Sequence, residues 1–160
     1  GFSFERQENM DRDLQMETLL TKPYALIDIL PKQVLPNFLE DFSKAEHFFL
    51  SRKERSRFAE KIVRIVLKLH CYFPIQIYCQ EWLRHSEEKI LAKQVRKIIV
   101  TKRGFCNLLL PGEDTLVCIE GGQLWVTVYH PSPEVQDILS ALAVSEGLFW
   151  RKEDCMKEMV

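Results

Sequence analysis

The stretch VYHPSPEVQDILSALAVSEGLFW, residues 128–150, places a histidine between the end of a strand and the start of a helix. Ligand sites often lie at such junctions, and an imidazole titrates near neutral pH, which suits general acid or base catalysis. No serine or cysteine nucleophile motif accompanies His130, so a half-exposed corner of the fold is the alternative interpretation and no catalytic residue is assigned. His130, Trp125 and Tyr129 are predicted only as candidates to line a ligand pocket.

A second group of candidates lies on and after a strand, where an aromatic pair is close in sequence to a carboxylate and an imidazole: Tyr78, Glu81, Trp82 and His85. Tyrosine and tryptophan offer large amphipathic surfaces at low entropic cost, which is typical of protein interfaces. Tyr78 and Trp82 are therefore interaction candidates. The alternative is that they form the edge of the core beside solvated neighbours.

Motifs for metals, nucleotides and cofactors are absent from the sequence. The five cysteines include no C-x-x-C pair, and the four histidines show no H-E-x-x-H or other recognised ligand spacing. His85-Ser86-Glu87 spells H-x-E, but the downstream C-x-x-C of zinc deaminases is missing. Neither G-x-x-x-x-G-K nor G-x-G-x-x-G occurs. We predict no metal and no cofactor, and we expect reduced, mostly buried thiols, with Cys118 packed rather than reactive.

The charges are segregated along the chain although the net charge is only −1. Residues 51–103 hold fourteen Lys and Arg against five Asp and Glu, a net of +9, while residues 1–50 carry −4 and residues 104–160 carry −6. The acidic flanks could neutralise the basic middle within the fold or at a homodimer contact. Alternatively, a basic face could meet nucleic acid or an acidic partner, although the pI near 6.5 and the lack of a helix-turn-helix weaken the nucleic-acid interpretation.

Half of the fourteen basic residues of the 51–103 segment lie on the strongest predicted helix, which runs from residue 52 to about residue 73. Ser51 and Glu54 form a capping box at its start, and Pro74 ends it. One stripe of this helix is apolar and predicted to be buried: Phe58, Ile62, Ile65, Val66 and Leu69. Another stripe, at spacings of i, i+4, i+7 and i+11, is uniformly basic and supplies the remaining interaction candidates: Arg57, Lys61, Arg64 and Lys68.

The other elements follow from periodicity and turn residues. Strands are predicted over 24–30 and 75–80, and helices over 36–50, from Ser86 onward and from Pro133 to Gly147. KIIVT from Lys97 either ends its helix or begins a strand. FCNLLL, TLVCIE and QLWVTVY read as a three-stranded antiparallel meander with turns at PGED and at a two-residue Gly121-Gly122 hairpin, and LFWR as a last strand.

The strand QLWVTVY carries large apolar bodies on both of its faces. Leu124, Val126 and Val128 share one face, and Trp125, Thr127 and Tyr129 share the other. We expect helices or a second subunit to cover the second face.

The order of elements predicts an α+β fold, a mostly antiparallel sheet that includes the three-stranded meander with helices packed on it, in a single domain. At 160 residues the chain is long enough for one core, and its composition of 46% hydrophobic and 28% charged residues is that of a folded protein. The predicted organisation is a flexible or partner-dependent N-terminal arm over 1–20, a single α+β domain over 21–153 and a frayed tail over 154–160.

The leading functional hypothesis is a non-enzymatic interaction or regulatory protein that binds a protein partner or itself as a homodimer. The alternatives are a small-molecule-binding domain or enzyme with a pocket near His130 and Trp125, and an accessory nucleic-acid binder that uses the basic helix. The longest apolar runs are too short and too often interrupted by charges to span a membrane, and the start of the chain is polar and acidic. We therefore expect no membrane partner and a cytoplasmic location.

Overall fold

A seven-stranded antiparallel sheet organises residues 2–152, the part of the chain that the computed structural model describes. The strand order is β3-β2-β4-β5-β6-β1-β7. The strands are β1 Tyr24–Asp28, β2 Gln76–Cys79, β3 Glu81–Trp82, β4 Phe105–Leu110, β5 Thr115–Glu120, β6 Trp125–Tyr129 and β7 Phe149–Lys152. β4, β5 and β6 are consecutive neighbours in the sheet, so the predicted α+β fold and its three-stranded meander are confirmed.

Helices lie on both faces of this sheet. They are α1 Phe2–Leu19, α2 Leu39–Phe49, α3 Arg52–Leu69, α4 Glu88–Thr101 and α5 Pro133–Ser145. We call the face that carries α3, α4 and α5 the inner face; its strand residues include Ile27, Ile77, Leu108, Val117 and Val126. We call the opposite face the α1 face; its residues include Leu109, Leu116, Cys118, Thr127 and Tyr129.

The α3 helix supplies much of the core on the inner face. The Ser51 hydroxyl accepts a hydrogen bond from the Glu54 N–H at 3.5 Å, as the capping box predicts. The predicted apolar stripe is buried along its whole length. The helix ends at Leu69, four residues before the predicted end, because the His70 ring bonds to the Phe73 and Ser86 carbonyl oxygens at 3.2 and 3.1 Å and holds the next residues in a turn.

The α1 helix packs on the opposite face through its last turns. Met16 and Leu19 are buried against a cluster on β4 and β5 formed by Leu109, Leu116 and Cys118. The second face of the meander is therefore partly covered by a helix of the same chain. The sequence-based boundaries of the arm, the domain and the tail stay predictions, and the tail at 154–160 lies outside the described residues.

Two further boundaries, the end of β1 and the β5–β6 connection, differ from the predicted ones for local reasons, and the alternative left open for KIIVT is resolved. β1 ends at Asp28, because its side chain accepts the N–H of Ile29 at 2.7 Å and turns the chain. KIIVT belongs wholly to α4. The predicted two-residue hairpin is wrong, since residues 121–124 connect β5 to β6; a side chain at Gly121 would collide with the backbone of residues 102–103, so glycine is required there.

Candidate functional site

His130 lies at the end of β6 and is held in place by hydrogen bonds. Its N–H donates to the Pro23 carbonyl at 2.9 Å, and its Nδ1 lies 2.8 Å from the Asp114 carbonyl oxygen, to which a protonated Nδ1 donates. The Thr115 hydroxyl donates to the His130 carbonyl oxygen at 3.0 Å. These bonds hold His130 at a φ of 55° and tie the end of β6 to the turn between β4 and β5. The half-exposed corner is the interpretation that this geometry favours.

Trp125 and Tyr129 lie at opposite ends of β6 on the α1 face. With five residues at about 3.3 Å per residue, the strand separates the two ends by roughly 13 Å. The sequence grouped Trp125 with His130, but the strand keeps them apart. Tyr129 packs beside Tyr24, with ring centroids 5.5 Å apart, and burial raises the pKa of its phenol.

The aromatic pair Tyr78 and Trp82 meets α1 rather than open solvent. Their ring centroids are 5.0 Å apart, and the indole Nε1 of Trp82 donates to a carboxylate oxygen of Asp13 at 2.7 Å. The guanidinium of Arg12 lies 5.8 Å from the Trp82 ring centroid. These interaction candidates thus help to dock α1 on the sheet.

The basic stripe of α3 is partly paired within the chain. Arg57 contacts Glu54 at 3.0 Å, and Arg64 forms a bidentate pair with Glu146 at 2.7 and 2.9 Å. The hydrogen bond from Arg64 lowers the pKa of Glu146, and the nearby charges of Lys68 and Lys61 act in the same direction. Glu146 comes from the acidic 104–160 segment, so one acid of that flank neutralises part of the basic middle.

A cleft lies beside Trp125, between the start of β6 and the chain that connects β1 to α2. Its volume is about 270 Å³. Apolar side chains of α2 and β6 form much of the wall, among them Leu39, Phe42 and Trp125. We call this space the Trp125 cleft. A mostly apolar concavity with a few polar groups is the usual form of a binding site.

An ion pair also lines the Trp125 cleft. One carboxylate oxygen of Asp28 accepts from the Arg151 guanidinium at 2.8 and 3.0 Å, and the other accepts the N–H of Ile29 at 2.7 Å. Asp28 is buried. Since both of its oxygens are already engaged by donors, Asp28 is suited to hold the cleft in shape rather than to act as a general base.

The α2 helix beside the cleft buries none of its residues. Four large apolar side chains at and before it are more than half exposed: Leu35, Phe38, Leu39 and Phe48. Three of them, Leu35, Phe38 and Leu39, lie at and just before the first turn, and we call these three residues the α2 surface. Phe48 comes nine residues after Leu39 and lies on the opposite side of the helix. The predicted helix is confirmed, since the short turn Pro36–Phe38 leads into α2, but the apolar periodicity of 36–50 is not matched by burial. The spacing of its apolar residues does not distinguish a helix at the border of the core from one within the core.

The thiols follow the expected pattern in part. Cys118 is buried on the α1 face, and burial together with the Glu120 charge raises its pKa to about 12, so the thiol is packed and inert. Cys71 is exposed and Cys79 is half-buried. Cys155 lies outside the described residues.

Comparisons with family models, curated proteins and solved structures find no match to this chain. Within residues 2–152, no three His, Cys, Asp or Glu side chains are arranged to hold a metal ion. In the same part of the chain no helix combines the length and the apolar character that crossing a membrane requires.

Proposed function

We propose that this protein is a non-enzymatic interaction protein that binds an apolar, basic-flanked segment of a partner protein at the α2 surface and the adjoining Trp125 cleft. The single observation that supports this is the state of α2, a helix of eleven residues with no buried side chain, at whose start Phe38 and Leu39 are more than half exposed. Isolated helices of that length are marginal in water, so packing has to stabilise this one.

The chemistry of the α2 surface favours a protein partner. Phenylalanine and leucine side chains that are already held on a folded element can anchor a partner at low entropic cost. The Trp125 cleft beside them offers an apolar space for a partner's side chain, and anchor residues in such pockets dominate interface energetics.

The charge around α2 favours a basic partner segment. The helix carries Glu40, Asp41 and Glu46 against the single lysine Lys44. A segment with lysines or arginines beside its apolar residues would gain favourable electrostatics and faster association. The same acids disfavour nucleic acid at this surface, since phosphates would be repelled.

The state of the polar candidates supports a binding role over catalysis. The carboxylate of Asp28 and the Nδ1 of His130 are both engaged in hydrogen bonds of the fold, and they lie at opposite ends of β6.

Selection from a displayed peptide library tests the proposal. Binders should be enriched in aromatic or leucine residues flanked by Lys or Arg, and the double substitution Phe38→Ser with Leu39→Ser should weaken them at least about tenfold. Tyr72→Ser is the matched control, because Tyr72 is an exposed aromatic side chain away from α2, at 64% against 51% for Phe38. Binders that respond to Tyr72→Ser equally, or that lack basic residues, contradict the proposal. Light scattering of the protein alone shows whether a second copy uses the same surface.

A second candidate function, the binding of a small apolar molecule, is favoured by the volume and lining of the Trp125 cleft. Hexanoate, octanoate and decanoate are suitable probes, since each pairs an apolar chain with a carboxylate that could meet Lys32 at the cleft. A saturable rise in melting temperature that Trp125→Ala abolishes would support this function. An unchanged melting temperature with all three would count against it.

A further inference from the structure

Cys79 and Cys106 face each other across two neighbouring strands. The pairing of β2 with β4 aligns Gln76 with Leu109, Ile77 with Leu108 and Tyr78 with Asn107, and one more step along this register brings Cys79 opposite Cys106. Both thiols belong to the inner face, where Cys106 is part of the core and Cys79 packs against it. Cys118, in contrast, is on the α1 face.

The backbone places these two thiols at a distance that a disulfide can span. Residues directly opposite each other in an antiparallel pair have Cα atoms about 4.5 or 5.5 Å apart, depending on the type of pair. Disulfides form over Cα separations of roughly 4.4 to 6.8 Å. The paired register ends at Tyr78 and Asn107, and its continuation by one residue places Cys79 and Cys106 at a separation that a disulfide can span.

The two cysteines differ in access to solvent. Cys106 is completely buried, while Cys79 is half-buried and lines a cavity of about 600 Å³ between α4 and the start of β4. Two cations, Lys97 and Arg103, line the same cavity together with polar residues, among them Gln94. The charge of this cavity therefore favours a polar, negatively charged molecule beside the thiol of Cys79.

The electrostatics of the pair favour Cys79 as the nucleophile. Its pKa is lowered because the Cys106 thiol donates a hydrogen bond to it and because the Lys97 charge lies nearby, although burial opposes the shift. The pKa of Cys106 is raised by that same interaction and by burial. The accessible thiol is therefore also the more easily ionised one.

We propose that Cys79 and Cys106 form a redox-active dithiol that exchanges with small disulfides carrying carboxylate groups, which Lys97 and Arg103 attract into the cavity. This site is separate from the α2 surface and does not rest on the proposed partner binding.

The exchange takes place in two displacements. The Cys79 thiolate attacks one sulfur of the small disulfide, forming a mixed disulfide and releasing one thiolate, which takes up a proton. Cys106 then attacks the Cys79 sulfur, forming the protein disulfide and releasing the second thiolate, which takes up the proton that Cys106 loses. In sum, two protein thiols lose two electrons and the small disulfide becomes two thiols.

Peptide mapping of the wild-type protein tests the proposal directly. Reduced protein is incubated anaerobically with oxidised glutathione as the probe, quenched with acid and digested. The expected main product is a peptide pair joined by a Cys79–Cys106 bond. Cys71 is exposed and lies outside the sheet, between α3 and β2. It serves as the internal control for accessibility and should carry at most a glutathione adduct.

Variants separate the two displacements. Cys106→Ala should stop the reaction at the mixed disulfide on Cys79, and Cys71→Ser should leave the product unchanged. Arg103→Gln should slow the reaction with oxidised glutathione roughly 5-fold but leave the rate with uncharged 2-hydroxyethyl disulfide unaltered. Lys93→Gln is the matched control, since Lys93 is an exposed cation on α4 that does not line the cavity.

Two results would overturn the proposal. One is a wild-type map that shows glutathione on Cys71 and no Cys79–Cys106 bond, which needs no variant to interpret. The other is an equal effect of Arg103→Gln and Lys93→Gln on the rate, which would refute recognition of the carboxylates by the cavity.

Discussion

The two faces of the sheet are covered to different degrees. On the inner face, α3, α4 and α5 enclose a continuous core in which Ile62, Leu91 and Leu108 are almost fully buried. On the α1 face, α1 covers β4 and β5 through Met16 and Leu19. It leaves β6, β1 and β7 largely uncovered, and beside these strands lie the Trp125 cleft and the chain that leads to α2.

The inner face therefore stabilises the fold, whereas the α1 face retains apolar surface that a partner can bind. The inner face uses nearly all its apolar surface internally. The α1 face keeps Trp125 at the border of a cleft, near the exposed side chains of Phe38 and Leu39 at the start of α2. Substitutions on the two faces should therefore lower the free energy of unfolding by different amounts.

The largest effect is expected on the inner face, from Ile62→Ala. Ile62 is 1% exposed, and truncation of a fully buried isoleucine should lower the free energy of unfolding by about 3 to 4 kcal/mol. Urea denaturation measures this loss. Lys68→Ala, an exposed position on the same helix, should change it by less than about 0.5 kcal/mol. A loss near that of the control would show that α3 does not pack as described.

Leu19→Ala tests the covered half of the α1 face. Leu19 is 1% exposed, but α1 can detach and relax around a cavity, so we expect a smaller loss of about 2 to 3 kcal/mol in the free energy of unfolding. Leu14→Ala is the control, since Leu14 is 65% exposed on the same helix and should be nearly neutral. Equal, small effects of the two substitutions would mean that α1 does not dock on the sheet.

Asp28→Ala tests the open half of the α1 face. Removing the carboxylate takes a charged partner from Arg151 and the acceptor oxygen from the N–H groups of Ile29 and Leu30, so we expect a loss of about 2 kcal/mol in the free energy of unfolding by urea denaturation. Adding Arg151→Met should restore part of this stability, because the charged partner of Asp28 is then removed as well and both members of the pair are apolar. No recovery in the double variant would argue that the guanidinium contributes mainly through other contacts.

The smallest effect is expected where α5 meets α3, from Glu146→Gln. Because the folded state lowers the pKa of Glu146, the ion pair stabilises the protein above the unfolded pKa, about 4.3, and this stability is lost as pH falls through the folded value. Because Arg64 is half-exposed, solvent screening limits the contribution of the ion pair to the free energy of unfolding to about 1 kcal/mol at neutral pH. Thermal unfolding at several pH values should show the difference from wild type disappearing in acid. In an Arg64→Gln background Glu146→Gln should have almost no effect; a full effect there would contradict the pairing.

Features set by neighbouring residues could be predicted from the sequence. The Ser51 cap and the alternation of Val126 and Val128 depend only on local spacing, and both are found. The second half of the capping box is not found, because the Ser51 N–H donates to the Phe48 carbonyl at 3.1 Å rather than to Glu54. The meander was predictable for the same reason, because its strands are joined by short turns.

Features set by distant residues could not be predicted in this way. Periodicity alone does not tell a helix that enters the core from one that borders it, which is why the exposure of α2 was missed. The Asp28–Arg151 pair and the facing of Cys79 and Cys106 depend on β1 and β2 pairing with strands that are distant in sequence. Many registers satisfy the same apolar pattern, and a single sequence does not choose among them.

The position of β1 has a consequence for the order in which the chain acquires its structure. Ile27 pairs with Val126 on one side and with Trp150 on the other, so β1 lies between two strands that are synthesised about a hundred residues later. Closing so long a loop is entropically costly and slow, whereas β4 and β5 meet across a short turn. We expect β1 to remain an unpaired strand during most of synthesis, when its apolar edge is open to association with other chains. Pulse-labelled hydrogen exchange during refolding should accordingly protect the amides of β4 and β5 before those of β1.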